Sequence, residues 1–172
     1  MALTHHMTRA AATLAAALIA TSATTAQADD REISIGAGYS DYSYSAGSDG
    51  AAFAVQYTFH PFYERGNFRA RYATGFDLHE TGDIHVGFGV AGRWDMANDW
   101  FVDVSVMPGL YFEQVPENDL GSTFEFRSQI GLGKYLANGN AVSLSLAHKS
   151  NASTTRFNPG VNSLLLRWHH AY

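Results

Sequence analysis

From Ile33 to Tyr172 apolar residues recur at every second position, in runs of about ten residues broken by polar or glycine-bearing stretches. A period of two is that of a β-strand, whose successive side chains point to opposite faces, and no interval of these runs shows a helical period. The first run sets Ile33, Ile35, Ala37 and Tyr39 against Ser34, Gly36, Gly38 and Ser40, and breaks at Ser45 to Gly50. The second carries Ala51, Phe53, Val55, Tyr57 and Phe59; His60-Pro61 is expected to end it, because proline cannot donate to a ladder. The third and fourth runs, Asn67 to Leu78 and Ile84 to Trp94, are separated by Glu80-Thr-Gly-Asp83. The fifth, Trp100 to Phe112, leads into a polar loop from Glu113 to Ser122, and the sixth spans Phe124 to Gly133. Asn138-Gly139 makes a tight turn into the seventh, Ala141 to Ser150, and the eighth runs from Val161 to Tyr172.

The parity opposite the apolar one holds Arg69, Arg71, Asp77, Arg93, Asp103, Glu125, Arg127 and Arg167. In a soluble barrel these charges face water and the apolar parity faces the core; in a membrane barrel the sense is reversed. Strands of a length that spans a bilayer, and aromatics at run ends (Tyr57, Phe59, Trp94, Trp100, Trp168, Tyr172), favour the second sense. The expected fold is therefore all-β, an eight-stranded antiparallel transmembrane β-barrel. Eight strands leave a lumen that side chains fill, so the inward charges are expected to pair with one another and not to line a pore.

Composition narrows the setting. The chain opens with Arg9, an apolar run from Ala10 to Ala20 and Ala26-Gln27-Ala28, the pattern of a secretory signal peptide over 1–28, with the barrel in 29–172. Removing that segment takes away Arg9 and no acid, leaving the chain more negative than its formal −5, so no basic patch argues for nucleic acid. There is no cysteine, hence neither a disulfide frame nor a thiolate nucleophile.

Candidate chemistry sits at the seventh and eighth runs. The apolar face of the seventh, Val142, Leu144 and Leu146, ends in His148 and Ser150; on the eighth, Asn162 shares the parity of Leu164, Leu166 and Trp168. In an antiparallel hairpin His148, Ser150 and Asn162 then share one outward face beside the connecting loop. His and Ser two residues apart on a strand have Cα atoms roughly 7 Å apart, so their tips can meet and the imidazole can act as base for the hydroxyl. The plain alternative is that His148 and Ser150 mark where the strand leaves hydrocarbon for headgroups. His169-His170 do not make a metal site, since neighbours on a strand point to opposite faces. His60 and His85 read as interface or lumen residues.

The run His148-Lys-Ser150-Asn151-Ala152 followed by Asn158-Pro-Gly160-Val-Asn162, in the last hairpin of an eight-strand pattern, resembles the outer-membrane lipid A 3-O-deacylase family (PagL-type). The resemblance implies an esterase of the cell outer membrane that removes the ester-linked 3-position acyl chain of lipid A. It implies Ser150 as nucleophile, His148 as base and Asn151 as contributor to the oxyanion hole, with no metal and no cofactor. Its partners are lipid A within lipopolysaccharide and the outer membrane; a homodimer is left open. Where the family pattern has a Glu orienting the His, this chain has Asn162, an amide that can fix the ring's tautomer but brings no charge. Two rivals remain: a non-enzymatic small barrel binding partners through its outer loops, and a lipid acyltransferase, which needs an interior slot that a charged lumen disfavours.

Overall fold

The structure is a computed structural model that describes residues 31–43 and 45–172; the segment read as a signal peptide lies outside the described residues. Eight antiparallel strands close into a barrel in chain order: β1 (Glu32–Tyr42), β2 (Gly50–Arg65), β3 (Phe68–His79), β4 (Ile84–Asp95), β5 (Trp100–Phe112), β6 (Phe124–Tyr135), β7 (Ala141–Ser150) and β8 (Val161–Ala171). β1 pairs with β8 from Glu32↔Ala171 to Tyr42↔Val161, which closes the barrel. The start of β1 and the end of β8 lie at one rim, the terminal rim, where Tyr172 N–H donates to the Arg31 carbonyl at 3.1 Å. The longer loops, including 113–123 and 151–160, crown the opposite rim.

Alternation decides which side chains go where. Leu144, Leu146, Leu164 and Leu166 all face outward and are more than half exposed, as are Phe88, Val106 and Ile130. An apolar exterior on this scale is a lipid-facing surface. The six aromatics expected at run ends all fall at the terminal rim, where Phe68 packs on Trp94 at 4.3 Å and Tyr57 on Phe59 at 4.8 Å. Inside, Arg71, Asp77, Arg93, Asp103, Glu125, Arg127 and Arg167 are buried.

Most of those charges are neutralised locally. Near the terminal rim Arg93 grips both oxygens of Glu32 at 2.5 and 2.9 Å. In the other half Asp77 meets Arg127 at 2.9 Å and Lys149 at 3.5 Å, while Lys149 Nζ donates to His79 Nε2 at 2.8 Å. Lipid offers no partner for a polar group, so pairing within the lumen is how the barrel keeps these residues. Arg69, of the same parity, lies half-buried at the terminal rim and pairs with Asp95.

β2 also departs from expectation, continuing through Pro61 to Arg65. Its pairing with β1 stops at Thr58, so beyond that point β2 has a partner on one side alone, and the register against β3 slips on both sides of Pro61. A bulged, one-sided stretch is where a strand tolerates a residue without an N–H.

Candidate active site on the outward face of β7 and β8

The register of β7 against β8 builds a ladder: Leu144↔Leu166, Leu146↔Leu164, then His148↔Asn162. Ser150 is the next outward residue of β7 beyond His148, and it ends the strand at the long-loop rim. Two rungs of exposed leucine thus lead directly to a polar rung. The strand alternation that puts leucine outside also puts His148 and Ser150 there, and both are half-buried.

His148 is held from two sides. Its Nδ1 lies 2.8 Å from Asn162 Oδ1. An amide oxygen only accepts, so this contact places the proton on Nδ1 and leaves Nε2 with a free lone pair. Asn162 turns its other end toward β1, where Nδ2 donates to Ser43 Oγ at 3.2 Å. On the other flank stands Gly160, at φ +72°; a Cβ there would come within 2.8 Å of His148 Cε1. Ser128 of β6 faces His148 across the strand pair, and Phe126 faces Ser150. Among the described residues neither Ser150 Oγ nor His148 Nε2 has a hydrogen-bond partner.

Asn151 is placed differently from its neighbours. It is fully buried, and its Nδ2 donates to the carbonyls of Leu120 and Phe157 and to Thr155 Oγ1, at 3.0, 2.8 and 2.8 Å. Its side-chain donors are therefore spent on tying loop 151–160 to loop 113–123. Its backbone N–H donates to Asn158 Oδ1 at 3.0 Å. Leu120 is itself clamped in the loop-rim core with Tyr42, Tyr111 and Val161.

Gly160 and Ser43 were not assigned roles from the chain alone. A glycine just before the eighth run was the available signal for Gly160; Ser43 meets Asn162 only through closure of β8 on β1. His169 points into the lumen and His170 outward, where it stacks on Trp168 at 5.4 Å. Among the described residues no cluster of His, Asp and Glu is arranged to hold a metal ion.

A closed eight-stranded barrel with a leucine and aromatic exterior and an ion-paired interior is an outer-membrane β-barrel. The chain belongs to the family of lipid A 3-O-deacylases (PagL), whose model matches residues 51–171. Among solved structures it is similar to the crystal structure of the outer membrane enzyme PagL, at 22% identity over 80% of this chain and 97% of that one, with a TM-score of 0.65. It is also similar to Neisserial surface protein A (NspA), at 9% identity over 86% of this chain and 100% of that one, TM-score 0.57. At these identities the structures speak for the barrel. A search of the curated proteins gives no match.

Proposed function

We propose that this barrel hydrolyses the 3-position acyl ester of lipid A with Ser150 as nucleophile and His148 as general base, on its lipid-facing surface. The observation that carries this reading is the 2.8 Å contact between His148 Nδ1 and Asn162 Oδ1, one outward position from Ser150 and at the head of a leucine track. With Nδ1 protonated, Nε2 takes the Ser150 proton as Oγ bonds to the acyl carbon. The tetrahedral intermediate then collapses, the bond to the sugar oxygen breaks, and the imidazolium returns its proton to that oxygen. Water attacks the acyl-serine with His148 again as base; fatty acid leaves and the serine proton is restored.

The oxyanion contribution falls to the backbone N–H of Asn151, directly after the nucleophile, in exchange for its bond to Asn158 Oδ1. With both termini on the periplasmic side, the β7–β8 loop stands in the outer leaflet, where lipid A lies. The acyl chain then lies along Leu146, Leu164, Leu144 and Leu166 without being drawn into water. Every residue of the unit comes from one chain, so the reaction needs no second copy.

Mass spectrometry of lipid A from cells with and without the protein tests the reading: loss of one 3-position acyl chain is expected, and it should disappear with Ser150→Ala. Unchanged lipid A would leave the rival of a barrel that binds partners through its loops.

A further inference from the structure

The site lacks the carboxylate that ordinarily steadies a histidine base. Within the β7–β8 hairpin nothing replaces it, since Asn162 is neutral. The barrel, however, continues past β8 to β1, and there Asp41 stands directly opposite Asn162 in the register. His148, Asn162 and Asp41 therefore form one rung across three strands, all on the outward face. We propose that Asp41 supplies the missing negative charge, acting across the Asn162 rung on His148 as a positioning residue. The inference rests on the Ser150–His148 reading above.

Three features support it. Asp41 stands exposed on the outward face at the loop-rim end of β1. Asn162 turns its oxygen toward His148 and its NH₂ toward the end of β1, where it donates to Ser43 Oγ, two residues beyond Asp41. The separation is two interstrand spacings, about 10 Å, over which a charge at a lipid boundary still acts on another.

No competing group faces His148 as closely. On β6 its outward neighbours are Phe126, Ser128 and Ile130; on β8, beyond Asn162, Leu164; on β1, besides Asp41, Tyr39. Lys149 points into the lumen, and in the loops above Asp119 accepts the Gly121 N–H at 2.7 Å, leaving Arg156 as the cation of loop 151–160.

The charge matters when His148 becomes imidazolium as Ser150 attacks. Asp41 favours that cation, lowering the barrier. Asp41→Asn keeps shape and removes charge. It should lower kcat by about three- to tenfold with KM unchanged. Asp41→Glu should restore kcat. Asn162→Glu places a carboxylate against the ring itself, so in that background Asp41→Asn should have little further effect.

The measurement is kcat and KM on purified lipid A in detergent for the full-length protein, Asp41→Asn, Asp41→Glu, Asn162→Glu, the Asp41→Asn/Asn162→Glu pair and Ser150→Ala. Heat-modifiable migration on a gel checks that each barrel is folded. An Asp41→Asn enzyme with an unchanged kcat overturns the inference, as does a change in KM alone, which would make Asp41 a substrate contact. Equal effects of Asp41→Asn with Asn162 and with Glu at 162 would also overturn it. If Ser150→Ala stays active, the failure lies with the nucleophile and not with Asp41.

Discussion

Ser143 Oγ lies 2.8 Å from His169 Nε2, and His169 Nδ1 lies 2.9 Å from Glu32 Oε1. By distance alone this Ser-His-carboxylate relay is better formed than the Ser150, His148 and Asn162 arrangement on the outer face. It is nevertheless sealed in the lumen: Ser143 and His169 are 3% and 2% exposed, and Phe101 packs edge-on against the imidazole at 5.6 Å. Arg93 also neutralises the carboxylate. An acyl ester cannot reach that hydroxyl, so the relay is part of the lumen's internal pairing. Ser143→Ala should leave lipid A deacylation intact and lower stability by about 1–3 kcal/mol, because it strips a partner from a buried ring nitrogen. Denaturant unfolding beside a deacylation assay separates the two; a dead but folded Ser143→Ala barrel would move the active centre inside.

For the outer pair the expectation is reversed. Ser150→Ala and His148→Ala should each cost about 10³-fold or more in deacylation, since members of a nucleophile and base unit fail together. Both residues are half-buried at a strand end, so heat-modifiable migration should persist. Near-parental rates in either variant would displace that residue from its role.

On the proposed reading Asn162 acts by orientation. Losing the amide frees the ring to flip or change tautomer but leaves Nε2 able to accept a proton. Asn162→Ala should therefore cost less than His148→Ala, on the order of tenfold. Identical rates for Asn162→Ala and the parent would reduce the unit to Ser150 and His148.

The strands were legible because their cause is local: where one face meets lipid and the other a packed lumen, side chains must alternate, and the sequence records this residue by residue. Pro61 misled because whether a proline stops a strand depends on whether a neighbour needs its N–H, and β1 ends beside Thr58. His148, Ser150 and Asn162 were legible as one face of a hairpin. What was not legible depends on closure and loop packing: Asp41 and Ser43 join the site only through β1–β8 pairing, and the Asn151 side chain is claimed by Leu120 from a loop 31 residues away.

The loop that holds Leu120 is fastened by Asp83, which lies between β3 and β4. Burial alone would raise its carboxyl's pKa. Hydrogen bonds from Gln114 N–H, Thr81, Asn118 and Tyr42 outweigh burial and hold it below the usual carboxylate value. A depressed carboxyl contributes stability that is fully present above its unfolded value of about 3.9 and is lost as pH falls through the lower folded value. The long loops should thus keep their order at pH 5 and loosen in stronger acid. Limited digestion with an acid-active protease should show cleavage in 113–123 rising as pH falls below about 4. Asp83→Asn should show that cleavage at every pH; a parent protein whose cleavage ignores pH would exclude Asp83 as the fastener.

Gly160 offers a test of how tightly the base must be held. At φ +72° it occupies the left-handed region, as does Gly139 at φ +82° in the turn between β6 and β7. Alanine at either position meets the same backbone penalty, about 1 kcal/mol. Their surroundings differ: around Gly139 a new Cβ meets nothing within 4 Å, whereas at Gly160 it lies 2.8 Å from His148 Cε1 and 3.1 Å from the Lys149 carbonyl. The carbonyl is fixed in the ladder, so the ring must give way, and a displacement near 1 Å is enough to cost about 10²-fold when a base has to meet its nucleophile. Gly160→Ala should therefore lower kcat steeply while Gly139→Ala does not, with both barrels losing similar stability in denaturant. Equal activities for the two variants would mean that His148 tolerates a shifted ring, and that the Asn162 contact alone sets its position.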